Sequence, residues 1–99
     1  MSSGIRFTSR EMRYIALFES ITGATAKDCV VDEDLNRIIF VVKEGDVGVA
    51  IGRQGKNIHL LERMTGKKHE IIEHSENPAQ FIKNALRPAQ VQEIRITER

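Results

Sequence analysis

The chain has 99 residues, enough for one compact domain with one hydrophobic core. Apolar residues make up 40% of the sequence and charged residues 29%, which is typical of soluble globular proteins, and no apolar run is long enough to span a membrane. The formal net charge of +1 gives no support by itself to nucleic-acid binding. Residues 1–6 lack the features of an export signal, so we expect a cytoplasmic protein.

The first predicted element is a helix that begins after Thr8. Thr8 and Glu11 have the spacing of a capping box, in which each side chain satisfies a free N–H group of the first turn. Apolar side chains follow at helical spacing: Tyr14, Leu17, Phe18 and Ile21. Gly23 is well placed to end the helix. Aromatic rings at this spacing could stack on bases, but they are typical of a face packed on a core.

Two strands are predicted next, over residues 27–31 and 37–43, separated by the polar residues 32–36. Both runs are rich in β-branched residues, which predicts a hairpin. The second run is apolar on both faces, which indicates a central strand covered on more than one side. Cys29 is the only cysteine, so it forms no internal disulfide, and we expect its small side chain to be buried.

Residues 46–66 predict two helices joined by a tight loop, Gly52-Arg53-Gln54-Gly55. Asp46 can cap the first, short helix, and the second runs over residues 57–64 and ends at Gly66. Three side chains share a face of the short helix: Val47, Ala50 and Ile51. An ordinary helix–helix turn remains an alternative for this loop. A dinucleotide-binding loop would need glycine at Ala50, and a nucleotide P-loop would need Ser or Thr at Asn57.

The loop suits contact with a phosphodiester backbone. Glycine has no side chain to block a close partner, and the start of the following helix adds free N–H groups and partial positive charge. Lys56, His59 and Arg63 fall on one face of that helix. Residues 53–68 contain five bases and one acid, an excess of +4. This excess favours an anionic strand as ligand, although chance clustering of solvated charges is the alternative.

The sequence Val47-Gly48-Val49-Ala50-Ile51-Gly52-Arg53-Gln54-Gly55-Lys56-Asn57-Ile58 strongly resembles the helix–GxxG–helix core of KH domains. The preceding helix and two strands match the order of the type II, prokaryotic variety. The chain resembles in particular the archaeal NusA-like transcription elongation/termination proteins, also in residues 13–19, 38–43 and 81–86. The resemblance implies an α+β fold of order α-β-β-α-(GxxG)-α-β. Its helices would pack on one face of a small sheet closed by a strand over residues 68–73.

The resemblance also implies single-stranded RNA binding in transcription elongation or termination, with RNA polymerase as a further partner. The loop backbone would grip the phosphates of about four nucleotides, and bases would lie on apolar groove walls. The RNA-binding residues that match the family are Gly52, Arg53, Gln54, Gly55, Lys56, Val47, Ile51 and Ile58. The helix face adds His59 and Arg63. For Ile51 and Ile58, a purely structural place in the core remains open.

Asn77 and Pro78 predict the start of a further helix, followed by a strand over residues 91–96. We therefore expect a type II KH domain over residues 1–75 and, over residues 76–99, a helix–strand extension that resembles the start of a second KH unit. No second Gly-x-x-Gly follows. The chain is either a single-KH form with an extension or part of a longer protein.

The sequence gives little support to catalysis. His59, His69 and His74 lack metal-ligand spacing to the cysteine, so we expect no enzyme activity, metal, cofactor or small-molecule substrate. We expect His69 and His74 to be solvated at strand ends. The competing function is a KH-like module that docks on RNA polymerase or a ribonucleoprotein with little RNA contact. The near-neutral charge favours docking, whereas the side chains of Arg53 and Gln54 permit phosphate contact.

Overall fold

A computed structural model describes residues 7–89. Its elements in chain order are α1 (Ser9–Thr22), β1 (Ala26–Asp32), β2 (Arg37–Val42), α2 (Val47–Ile51), one turn of 3-10 helix (Arg53–Gly55), α3 (Lys56–Thr65), β3 (Lys68–Glu73) and α4 (Pro78–Leu86). This order confirms the predicted α+β fold. The strand predicted over residues 91–96 lies outside the described part of the chain. No helix within residues 7–89 is long and apolar enough to cross a membrane.

The predicted capping box starts α1. The Thr8 hydroxyl accepts a hydrogen bond from the Glu11 N–H at 3.1 Å, and the Thr8 N–H donates to the Glu11 carboxylate at 3.0 Å. At the other end Gly23 adopts a left-handed conformation, with φ 78°, and its N–H donates to the Glu19 carbonyl oxygen at 2.9 Å. Both ends of α1 are therefore fixed by local sequence signals.

The sheet has the order β1-β2-β3, with β1 and β2 antiparallel and β2 and β3 parallel. This confirms the central position of β2. Its helix-facing residues are buried: Ile38, Phe40 and Val42. Ile39 and Val41 point to the other face and are only partly buried, so the second face that we expected to be covered is covered in part.

The core lies between the helices and the sheet. Its buried apolar members are Phe18, Ala24, Cys29, Ile38, Phe40, Val42, Ala50, Ile58, Leu61 and Ile71. Phe18 of α1 stacks on Phe40 of β2 with ring centroids 4.1 Å apart, so the aromatic face of α1 packs on the sheet. Cys29 is buried as predicted, and burial raises the pKa of its thiol to about 12.

His69 is also part of this core, so the expectation that it is solvated was wrong. The strand β3 pairs His69 with Ile38, which places its ring on the helix-facing side of the sheet at 1% exposure. The ring stacks on Phe40 with centroids 5.7 Å apart, and Nδ1–H donates to the Lys67 carbonyl oxygen at 3.0 Å. The polarity of histidine suggested a surface place, but the register of β3 decides its position.

Candidate nucleic-acid interface

Helix α2 and the segment before it fix one side of the candidate site. Ala50 is buried, while Val47 and Ile51 are partly buried against the core, which confirms the predicted shared face. Asp46 stands at the N-cap position but its side chain does not cap the helix, contrary to prediction. Its carboxylate instead accepts a hydrogen bond from the Thr25 N–H at 2.8 Å, because the adjoining end of β1 brings that donor within reach.

The glycine loop, residues 52–55, turns the chain between α2 and α3. Three of its residues have positive φ: Gly52 at 79°, Gln54 at 57° and Gly55 at 75°. The Gly55 N–H donates to the Gly52 carbonyl oxygen at 3.0 Å and closes the turn. Residues with side chains seldom adopt these angles, so the two glycines allow the sharp change of direction that the sequence predicts.

The side chain of Asn57 also requires a glycine at position 52. A Cβ atom at this position would lie 2.8 Å from both Cγ and Nδ2 of the Asn57 side chain. That amide is held in place, because its Nδ2 donates to the Val49 carbonyl oxygen at 2.9 Å. Asn57 thereby satisfies a carbonyl group near the end of α2, where the helix itself supplies no donor. The close approach of α2 and α3 at the loop depends on this pair of residues.

Asn57 is the residue that reasoning from the sequence missed. Asn57 entered the prediction as the start of the second helix, as a mismatch to a nucleotide P-loop and as part of the KH-like sequence, but no contact was predicted for its side chain. A side-chain amide in the first turn of the second helix, facing the uncapped end of the first helix, was the signal that could have identified its role.

The loop presents both charge and backbone to solvent. Arg53, Gln54 and Lys56 are exposed, whereas Gly55 is buried beneath them. Gly55 occupies the N-cap position of α3 and has no side chain to cap the first turn, so this helix end retains its partial positive charge. Among residues 7–89, no acceptor binds the charged groups of Arg53 or Lys56. An anion could therefore reach them without displacing an ion pair.

The predicted helix face continues this surface. Arg63 is exposed and His59 half-buried on α3, and neither side chain has a hydrogen-bonding partner within the described chain. Several cations elsewhere are occupied: Arg10 by Glu33, Lys67 by Glu33 and Asn36, and Arg37 by Asp32 and Glu70. The surface along the loop and α3 is therefore a place where positive charge is free to meet a ligand.

The ten predicted residues do not all reach the surface. Ile58 is 0% exposed and packs in the core. Its place is therefore the one given by the alternative interpretation, a structural position in the core. Ile51 and Val47 are partly exposed and can serve as walls. A cavity of about 170 Å³ lies between α2 and β3; it is lined by Val47, Ile71, Glu73, Asn84, Arg87 and Ala89. The cavity shares Val47 with the predicted groove, and the last three of these residues come from α4 and the segment after it.

Two further features lie away from the glycine loop. A cavity of about 420 Å³ is lined by residues of α1 together with Met64 and Thr65, at the opposite end of α3. Within residues 7–89 no group of three or more His, Cys, Asp or Glu side chains could hold a metal ion.

Comparison with known proteins identifies similar chains. Residues 12–98 match the family described as "KH domain". The chain is 41% identical over 90 residues to the "Probable transcription termination protein NusA" of Methanocaldococcus jannaschii, which covers 91% of this chain and 48% of that protein. It is 37% identical over 94 residues to the protein of the same name from Halococcus morrhuae, covering 95% of this chain and 66% of that protein.

A solved structure is similar as well. The "Crystal structure of APE1850" matches with a TM-score of 0.75 and 50% sequence identity, covering 79% of this chain and 56% of that one. The chain thus spans about half the length of the Methanocaldococcus protein and of the solved chain. These similarities confirm the resemblance inferred from the sequence.

Proposed function

Because the chain belongs to the KH domain family, we propose that it binds single-stranded RNA through the glycine loop and α3. The observation that carries the proposal is an uncapped helix start with free, exposed cations beside it: the N-cap of α3 is Gly55, and Arg53 and Lys56 have no acceptor within residues 7–89. Phosphate groups fit this arrangement, because they bind backbone N–H groups at helix starts and the charged groups of Arg and Lys.

The remaining predicted residues have distinct parts in this proposal. Gly52 and Gly55 let the RNA backbone approach the main chain, and Arg53, Gln54 and Lys56 provide polar contacts. His59 and Arg63 extend the positive surface along α3. Val47 and Ile51 offer partly exposed apolar walls to bases, and Ile58 supports them from the core. Such a groove suits unstacked bases of a single strand rather than a rigid duplex.

The proposed cellular role is in transcription termination or elongation. The relatives from Methanocaldococcus and Halococcus are both named as probable transcription termination proteins. RNA emerging from RNA polymerase would be a single-stranded ligand of the proposed kind, and the polymerase itself is a further proposed partner. The proposal contains no catalytic step.

Protein docking is the second candidate function. Besides the near-neutral net charge, one structural feature favours it: Ile82 and Leu86 on α4 are 59% and 76% exposed. The two side chains are one helical turn apart and so adjoin on the surface of α4, where they offer an apolar contact to another macromolecule. In this case RNA contact through the glycine loop would be secondary, and the loop could be changed without loss of the main activity.

The test is binding of fluorescent single-stranded RNA oligomers, followed by anisotropy at low and moderate salt. The parent is compared with a variant carrying Arg53→Asp and Gln54→Asp, which keeps both glycines; Asp tolerates the left-handed conformation of Gln54. A control with Ser9→Asp and Arg13→Asp makes the same change of charge at exposed positions of α1. Circular dichroism verifies that all three proteins are folded.

We expect salt-sensitive binding by the parent and the control, and loss of binding by the loop variant. Failure of the parent to bind any oligomer, or equal binding by the folded loop variant, would contradict the proposal and favour protein docking.

A further inference from the structure

We propose that Arg87, at the end of α4, is a further RNA-contacting residue, and that backbone pairing between Ala89 and β3 positions it. This inference rests on the proposed function, because it concerns the same groove. Arg87 lines the cavity between α2 and β3 together with Val47, a predicted groove residue. It was not among the residues predicted from the sequence, since the segment that carries it resembles the beginning of another unit rather than part of this groove.

Two interactions hold the segment around Arg87 against β3. On one side, the Asn84 side-chain amide donates to the Glu73 carbonyl oxygen at 2.9 Å. On the other side, Ala89 forms an antiparallel bridge with Ile71: the Ile71 N–H donates to the Ala89 carbonyl oxygen at 3.1 Å, and the Ala89 N–H donates to the Ile71 carbonyl oxygen at 2.9 Å. Arg87 lies between these two anchors, so its backbone has a defined place at the groove.

The guanidinium of Arg87 is available to a ligand. The side chain is exposed, and no residue in the range 7–89 accepts a hydrogen bond from it. Glu73 also lines the cavity, but its carboxylate accepts a hydrogen bond from the Gly45 N–H at 2.7 Å and forms no ion pair with Arg87. A planar guanidinium at a groove wall can pair with a phosphate or stack on a base, the two contacts that a single strand offers.

The bridge also prevents the backbone of β3 from hydrogen-bonding to a base at Ile71. Both backbone groups of Ile71 that face the open edge of β3 are already bonded to Ala89. A base at this point of the groove therefore meets a closed edge and must be contacted by side chains. Arg87, the C-cap residue of α4, is the cation that lines this cavity, whereas Lys83 does not line it.

The test compares Arg87→Ala with Lys83→Ala in the RNA-binding assay. Both residues are exposed cations at the C-terminal end of α4, Lys83 in its last turn and Arg87 at its C-cap, so the pair is matched for charge. We expect Arg87→Ala to weaken binding about fivefold and to reduce the slope of log K against log salt by about 0.7, the contribution of one contact to a single strand. Lys83→Ala should change neither quantity, and Arg87→Lys should restore the salt slope.

Ala89→Pro tests the positioning role, because proline lacks the N–H that bonds to Ile71. We expect this variant to bind RNA about as weakly as Arg87→Ala, and Arg87→Ala to add no further loss in its background. Additive losses would overturn the positioning role.

If Arg87→Ala binds like the parent while the loop variant loses binding, the inference about Arg87 is wrong and the proposed function stands. If the parent does not bind RNA, both fail.

Discussion

His69 fills its place in the core with only part of its hydrogen-bonding capacity in use. Nδ1–H donates to the Lys67 carbonyl oxygen, while Nε2 has no partner within the residues described. Burial lowers the pKa of His69, and the bond to the Lys67 carbonyl and the negative charge of Glu62 oppose this shift without reversing it. The neutral ring is therefore the form that the folded protein favours.

This shift predicts that acid destabilises the fold through His69. The pKa of an unfolded histidine is about 6.5, and the folded value is lower, so between the two the unfolded chain binds more protons. The contribution of the neutral ring is complete above pH of about 6.5 and decreases as the pH falls toward the folded pKa. As the pH is lowered from about 6.5, we expect the free energy of unfolding, measured in urea, to decrease less in His69→Leu than in the parent.

The control for this experiment is His74→Gln, which changes a partly exposed histidine outside the core. It should retain the pH dependence of the parent. Equal pH dependence in His69→Leu and the parent would mean that another group, such as a carboxylate, accounts for the loss of stability in acid.

At the scale of elements, the joint between α2 and α3 combines backbone strain with a close contact. Gly52 has φ 79° and ψ 168°, a region that side-chain-bearing residues avoid, and a Cβ there would meet the Asn57 amide at 2.8 Å. We expect Gly52→Ala to lower the free energy of unfolding by about 1 to 3 kcal/mol, since strain of this kind has that typical cost. Urea unfolding followed by circular dichroism gives the value.

Gly48→Ala provides the matched control for Gly52→Ala. Gly48 lies within α2, and a Cβ there would have no atom within 4 Å. The same substitution should therefore stabilise the protein, by about 0.5 to 1 kcal/mol, because alanine is the better helix former. If the two variants change stability alike, the loop does not impose the proposed constraint on Gly52.

Local signals in the sequence predicted most element boundaries. The capping box at Thr8, the terminal Gly23 and the asparagine cap at Asn77 each act over a few residues, so the sequence around them suffices. The strand expected over residues 68–73 is β3 with the same bounds. What the sequence did not indicate depends on contacts between elements. Asp46 turns to Thr25 rather than to its own helix, and Asn57 reaches back to α2.

For the candidate site, too, the sequence predicted the features that depend on local spacing and missed those that depend on contacts between elements. The glycines and the cations of one helix face could be read from spacing, because helix periodicity places them together. The burial of Ile58 and the presence of Arg87 in the groove could not, since both depend on how α3 and α4 pack against the sheet. Whether these residues bind RNA remains a prediction.

At the scale of the whole molecule, the division into residues 1–75 and 76–99 also remains a prediction. The family match extends over residues 12–98, and α4 is bonded to β3 through Asn84 and Glu73. The cavity at the groove draws its lining from both sides of the predicted boundary. We therefore expect α4 and the segment after it to contribute to the proposed RNA-binding groove.

Charge placement across the molecule predicts how RNA binding depends on salt. The net charge is only +1, so we expect attraction to RNA to come from local exposed cations, among them Arg53, Lys56 and Arg63. Three phosphate contacts with a single strand correspond to a slope of log K against log salt of about −2. We expect replacement of all three residues by alanine to reduce the slope by that amount.

The matched control replaces three cations that ion pairs occupy: Arg10, Arg37 and Lys67. It removes the same formal charge from the protein. If binding follows net charge, the two triple variants will lose the same slope, and the local surface has no special role. If the control keeps the slope of the parent while the first variant loses it, the unpaired cations beside the glycine loop meet the phosphates. Unlike the three cations of the control, they can bind RNA without first breaking a contact within the protein.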